Sequence, residues 1–111
     1  MVDIHTHIIP NVDDGSPNLE TSIAMIKHEI EIGVDTIICT PHHIYHRYEK
    51  TVEEIREKFN LLKQEVERLG LPVQLYLGQE ICYTHREDIL QMLKDGKLLT
   101  LNNTNRILLE F

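Results

Sequence analysis

The chain has 111 residues, 41% of them hydrophobic, and a formal net charge of −7, which is the size and balance of one small soluble domain. Its acidity, with no basic stripe, excludes a nucleic-acid surface, because binding a phosphate backbone requires clustered Lys and Arg. The apolar runs are only a handful of residues long and no basic region leads a secretory segment, so membrane insertion and export are not expected and the predicted compartment is the cytoplasm.

The first predicted element is a short apolar strand over residues 2–5. It runs into His5-Thr6-His7-Ile8-Ile9-Pro10 and then Asp13-Asp14-Gly15. On a strand, residues two apart leave the same face of the pleat, so His5 and His7 can converge on one ion. An apolar core does not require two imidazoles and two carboxylates beside one strand.

Leu19, Ile23, Ile26 and Ile30 recur at helical spacing up to Gly33, which is placed to end that helix. A second strand, 36–39, leads into a loop carrying Thr40-Pro41-His42-His43. Thr51-Val52-Glu53-Glu54 has the form of a capping box, and Val52, Ile55, Phe59, Leu62, Val66 and Leu69 make one apolar stripe that stops at Gly70. The stripe is predicted to be core packing. A third strand, 73–77, leads into Gly78-Gln79-Glu80. Ile89, Leu90 and Leu93 predict a short helix ending near Gly96, and residues 98–101 and 107–110 are predicted to be extended.

The alternation of strand and helix predicts an α/β fold with parallel pairing, in which the loops after the strands open on one face. His5, His7, His42, His43 and Glu80 all follow strand ends, where such folds place their active sites. Mixed nitrogen and oxygen donors without thiolates suit Mn²⁺, Fe²⁺ or Zn²⁺. The two cysteines, Cys39 and Cys82, form no C-x-x-C pair and neither has an arginine six positions on, so a disulfide framework, a zinc knuckle and a cysteine-dependent phosphatase lack support. Both are predicted to be core thiols. His85 is predicted to be a surface residue; His46 and Arg47 lie in a loop that could contact a phosphate, with a solvated loop the preferred reading.

These motifs together, His5-x-His7-x-x-Pro10-x-x-Asp13-Asp14-Gly15, Thr40-Pro41-His42-His43, Gly78-x-Glu80-Ile81, Leu98-Leu99-Thr100-Leu101-Asn102 and Leu109-Glu110-Phe111, resemble the polymerase and histidinol phosphatase (PHP) superfamily. Within it they resemble the bacterial capsule-type, CpsB/YwqE-like tyrosine phosphatases. The resemblance implies a distorted seven-stranded (β/α) barrel with up to three ions, usually manganese. The implied reaction is hydrolysis of phosphotyrosine by a metal-activated hydroxide, on the tail of a bacterial tyrosine kinase that controls polysaccharide export. By motif, His5 and His7 would hold one ion, Glu80 would bridge two, and Asp14 with His42 would hold the third. Asp13 and His43 would support those ligands from behind.

A barrel needs roughly twice this length, and residues 107–111 form an apolar strand with no turn or polar tail after it. The expectation is therefore that residues 1–111 are the N-terminal part of a single PHP-type domain. The further histidines, aspartate and phosphate-gripping arginines of the family find no match here, and Tyr48-Glu49-Lys50 stands where many relatives carry Tyr-x-Asn. Two other readings follow: a phosphoesterase acting on a small phosphomonoester, and an inactive fragment whose last strand pairs with another chain.

Overall fold

The computed structural model describes all 111 residues. Six parallel strand segments and three helices alternate: β1 (Val2–Thr6), α1 (Leu19–Glu31), β2 (Thr36–Cys39), β3 (His42–His43), α2 (Val52–Leu69), β4 (Gln74–Leu77), β5 (Glu80–Cys82), α3 (Ile89–Lys94) and β6 (Leu108–Glu110). One sheet has the order β1-β2-β4 and the other β3-β5-β6. The predicted parallel α/β arrangement is present.

The predicted loops after the second and third strands are not loops. His42–His43 and Glu80–Cys82 are strands that continue β2 and β4 past a short break. Hydrogen bonding carries across it, from Gly78 N to the Cys39 carbonyl (2.8 Å) and from Glu80 N to the Pro41 carbonyl (2.9 Å). Pro41 has no N–H to give to a ladder, so a break falls naturally beside it. At Gly78 the chain packs closely against a neighbour: an added Cβ would stand 2.8 Å from Leu101 Cδ2 and 3.3 Å from its Cα. The two three-stranded parallel sheets are thus linked by backbone hydrogen bonds across these breaks.

Helix α1 is capped by Asn18, whose Oδ1 accepts from Thr21 N (2.8 Å). Helix α2 begins as the capping box predicts, with Thr51 Oγ1 accepting from Glu54 N (3.2 Å), and ends at Gly70 in the left-handed conformation. Most of its stripe faces inward: Ile55 and Leu62 are fully buried and Val52, Phe59 and Val66 nearly so, packed with Ile26, Ile37 and Leu75 in the main core, whereas Leu69, predicted to close the stripe, lies in the last turn and is exposed. Ile81, Ile89 and Leu98 form a smaller cluster under β5.

Residues 98–101 are not a strand. Leu98 and Leu99 are buried as an apolar run should be, but Leu99 N gives its hydrogen bond to Gln79 Oε1 (3.0 Å) instead of to a sheet neighbour. The chain then turns through a 3₁₀ segment, Leu101–Asn103, in which Asn102 and Asn103 both have positive φ, a conformation that asparagine tolerates better than most residues. The strand predicted at 107–110 is present as β6, paired with β5. No helix is long and apolar enough to cross a membrane.

Cys39 is fully buried, and burial pushes its thiol up to about 12, whereas Cys82 is only half-buried, correcting its assignment to the core. A thiol reagent at neutral pH is expected to label one cysteine, Cys82, in the folded protein and the second only in denaturant. Rapid native labelling of both, read by mass spectrometry, would contradict this packing.

Candidate metal centre

Three neighbouring strands, β3, β5 and β6, and the end of β1 bring the chemistry together. In the β3–β5 register His42 is paired with Glu80, and in β5–β6 Glu80 is opposite Leu108, so Glu110, two residues on, leaves β6 on the same face as Glu80. From β1 come His5 and His7. Between Asp3 and Thr6 the β1–β2 register slips by one residue, a bulge that bends the strand as it approaches the site. Thr6 is locked beyond the bulge, its N–H donating to Thr40 Oγ1 (2.9 Å) and its own Oγ1 donating to the Ile38 carbonyl (3.2 Å).

The predicted residues His5, His7, His42 and Glu80 meet at one point. Glu80, buried, has Oε2 at 2.8 Å from His5 Nε2, and Oε1 at 3.1 Å from both His7 Nε2 and His42 Nδ1. His5 Nε2 and His7 Nε2 are 3.2 Å apart. Asp14 is exposed and lies 3.5 Å from His42 Nε2.

Asp13 lies behind two of the imidazoles. Its Oδ2 accepts from His7 Nδ1 (3.0 Å) and from the His42 backbone N–H (2.9 Å), and its Oδ1 accepts from Gly15 N (2.9 Å). Burial alone would raise the Asp13 carboxyl, but these hydrogen bonds, led by that from His7, outweigh it and hold the group below its ordinary value. The same hydrogen bond is the main reason the His7 pKa is raised, against the opposing effect of burial, with the charges of Asp13, Glu80 and Asp14 adding to it. With Nδ1–H committed to Asp13, a neutral His7 keeps its Nε2 lone pair toward Glu80 and His5.

His43, the other predicted supporting residue, bonds to Glu87 (3.0 Å to each carboxylate oxygen), outside the cluster. His85 is exposed, as predicted. Two acidic residues emerge that sequence reasoning did not assign. Glu87 has no positional signal in the chain. Glu110 had one, since it ends an apolar strand as the other site residues do, and its Oε1 lies 3.7 Å from His42 Nδ1.

Three overlapping groups therefore offer donor atoms within 4.8 Å of one another: His5, His7 and Glu80; His7, Asp13 and His42; and His42, Glu80 and Glu110. This donor set, imidazole nitrogen and carboxylate oxygen without thiolate, fits a divalent cation of the Mn²⁺, Fe²⁺ or Zn²⁺ type. A second observation supports the fit. His42 Nδ1 is buried with no hydrogen-bond partner, because its 3.1 Å approach to Glu80 Oε1 lacks hydrogen-bond alignment. An orphaned nitrogen facing a buried carboxylate is costly unless a cation lies between such groups.

A parallel α/β frame that gathers histidines and carboxylates at one site is an arrangement able to hold a divalent cation. More particularly, the chain belongs to the family described as "Capsular polysaccharide synthesis, CpsB/CapC", whose sequence profile matches residues 1–111. It is 38% identical over its whole length to the tyrosine-protein phosphatase CpsB of Streptococcus agalactiae, covering 45% of that protein. It is 37% identical to the tyrosine-protein phosphatase YwqE of Bacillus subtilis, covering 43%. A crystal structure from work on YwqE of B. subtilis and CpsB of Streptococcus pneumoniae, described as "unique metal-dependent tyrosine phosphatases", superposes on the whole chain with a TM-score of 0.92 at 37% identity, and 44% of that structure is covered. The chain thus spans less than half the length of these relatives.

The 13–16 loop is packed hard against β1, and a Cβ on Gly15 would stand 2.2 Å from the His7 carbonyl oxygen and 2.5 Å from His7 Cβ. Gly15→Ala is therefore expected to displace the loop and destabilise the protein by about 1–3 kcal/mol, read as a lowered urea midpoint. An unchanged midpoint would show that the loop accommodates the methyl group.

Proposed function

We propose that this chain is the N-terminal part, residues 1–111, of a distorted seven-stranded PHP-type barrel that acts as a metal-dependent protein-tyrosine phosphatase in the regulation of capsule and exopolysaccharide synthesis. The observation that carries the reading is Glu80, whose two oxygens face His5, His7 and His42 within 3.1 Å. Its support is family membership and the phosphatase names of relatives 37–38% identical. The proposed ions are Mn²⁺, up to three in the complete barrel. The proposed substrate is the phosphotyrosine tail of a bacterial tyrosine kinase, met in the cytoplasm.

In this reading His5, His7, Asp14, His42 and Glu80 would hold the ions, and Glu110, grouped with His42 and Glu80, would add a further carboxylate. Such ions lower the pKa of water and neutralise phosphoryl charge as it builds in the transition state. The chain's own residues set the stage for that chemistry. Asp13 fixes the His7 tautomer and, through the His42 N–H, the backbone that presents His42. Ile8 and Ile9, buried in the main core directly after His7, anchor the backbone that presents its imidazole.

The test is phosphate release from a phosphotyrosine peptide by the full-length product of the gene, with and without Mn²⁺. Asp13→Asn is expected to weaken metal binding by about 10–100-fold, and His5→Ala, which removes a ligand itself, by at least as much with activity lost in parallel. Hydrolysis of small phosphomonoesters but not of the peptide would replace the protein substrate with a small one. No Mn²⁺-dependent hydrolysis of either would overturn the proposal.

A further inference from the structure

The segment after β3 is a tight hairpin. Ile44 and Tyr48 exchange backbone hydrogen bonds, each 2.9 Å, and Arg47 N also donates to the Ile44 carbonyl (2.9 Å). His46 sits at the turn with φ of 60°, its N–H donating to Glu49 Oε1 (2.7 Å). This closure does more than connect β3 to α2, because it brings Tyr48 against the metal centre.

Four side chains form a column leading out of the site. The His7 and His42 rings stack at 4.3 Å between centroids and 21° between planes, and His42 and Tyr48 follow at 5.9 Å and 17°. The Arg47 guanidinium then lies over the Tyr48 ring, its Cζ 5.2 Å from the centroid. Tyr48 is half-buried and Arg47 exposed. Arg47, like most of the chain's Lys and Arg residues, has no carboxylate partner, and Glu49, its near neighbour, is engaged by the His46 amide.

A guanidinium placed over a ring face keeps its fork of N–H groups available for an anion. The two ring steps place that fork outside the carboxylate cluster, beyond His42. It is therefore poorly placed for the group that would sit on the ions, and well placed for another part of the same ligand.

We propose that Arg47, presented on Tyr48, is a specificity-determining residue. It binds a second anionic group, carboxylate or phosphate, on a phosphotyrosine peptide whose phosphoryl group occupies the His42–Glu80 centre. The inference rests on the phosphatase reading above. It gives the loop a recognition role, and it makes a small phosphomonoester, with its one anionic group, the poorer ligand.

The experiment compares the full-length, Mn²⁺-loaded protein with its Arg47→Gln and Arg47→Lys variants on three phosphotyrosine peptides. One is flanked by glutamates, one carries a second phosphotyrosine, and one is flanked by neutral residues. In Arg47→Gln, KM for the anionic peptides is expected to rise about tenfold with kcat little changed, while the neutral peptide stays within about twofold and Arg47→Lys recovers part of the loss. A rise for the glutamate peptide alone assigns a carboxylate, and one for the doubly phosphorylated peptide alone assigns a phosphate. Equal effects on all three peptides, or none, overturn the Arg47 assignment while leaving the phosphatase reading intact. If the unaltered protein hydrolyses none of the peptides, the phosphatase reading fails and the assignment fails with it.

Discussion

One carboxylate, Glu80, is shared among three imidazoles, and the rest of the structure can be read as the means of holding it there. It is buried and has His5 Nε2, His7 Nε2 and His42 Nδ1 within 3.1 Å. Such a group is stable only if its neighbours are charged, hydrogen-bonded or joined through a cation. The parallel sheet supplies the neighbours, since strands pointing the same way present their ends on one face. The helices supply the rigidity, with α2 burying Ile55 and Leu62 against β2 and β4, which lead into the strands that carry His42 and Glu80.

Asp13 extends this logic one layer outward. It is not on a strand, yet it bonds to a side chain from the β1 end and to a backbone amide at the start of β3. A single carboxylate thus ties together two segments distant in sequence, and the tight contact at Gly15 holds the loop that carries it. Geometry set by such partners is preorganised, so little reorganisation remains to be done when a charged ligand arrives.

Much of this was legible in the chain. The Thr51 cap, the inward stripe from Val52 to Val66 and the stop at Gly70 make α2 readable because local chemistry and burial agree. His5, His7, His42 and Glu80 were readable because each follows a β-branched or aliphatic run. What stayed hidden depended on pairing. That His42 and Glu80 lie on strands of their own follows from hydrogen bonds crossing Pro41 and Gly78, which no periodicity shows. Residues 98–101 have the composition of a strand but lack a partner, and two asparagines beyond them turn the chain away. Glu87 meets His43 only through tertiary folding. Glu110 could have been found by applying the strand-end rule to the last strand as it was applied to the others.

The slipped register in β1 has an evolutionary consequence. A ladder without the extra residue would be more regular, so a single-codon deletion near Ile4 would be tolerated by the backbone of most edge strands. Here it would carry His5 and His7 out of step with Thr6, whose amide and hydroxyl are both committed to the neighbouring strand. Length variation in this family should therefore be scarce before Thr6, where the count of residues fixes which side chains reach the site.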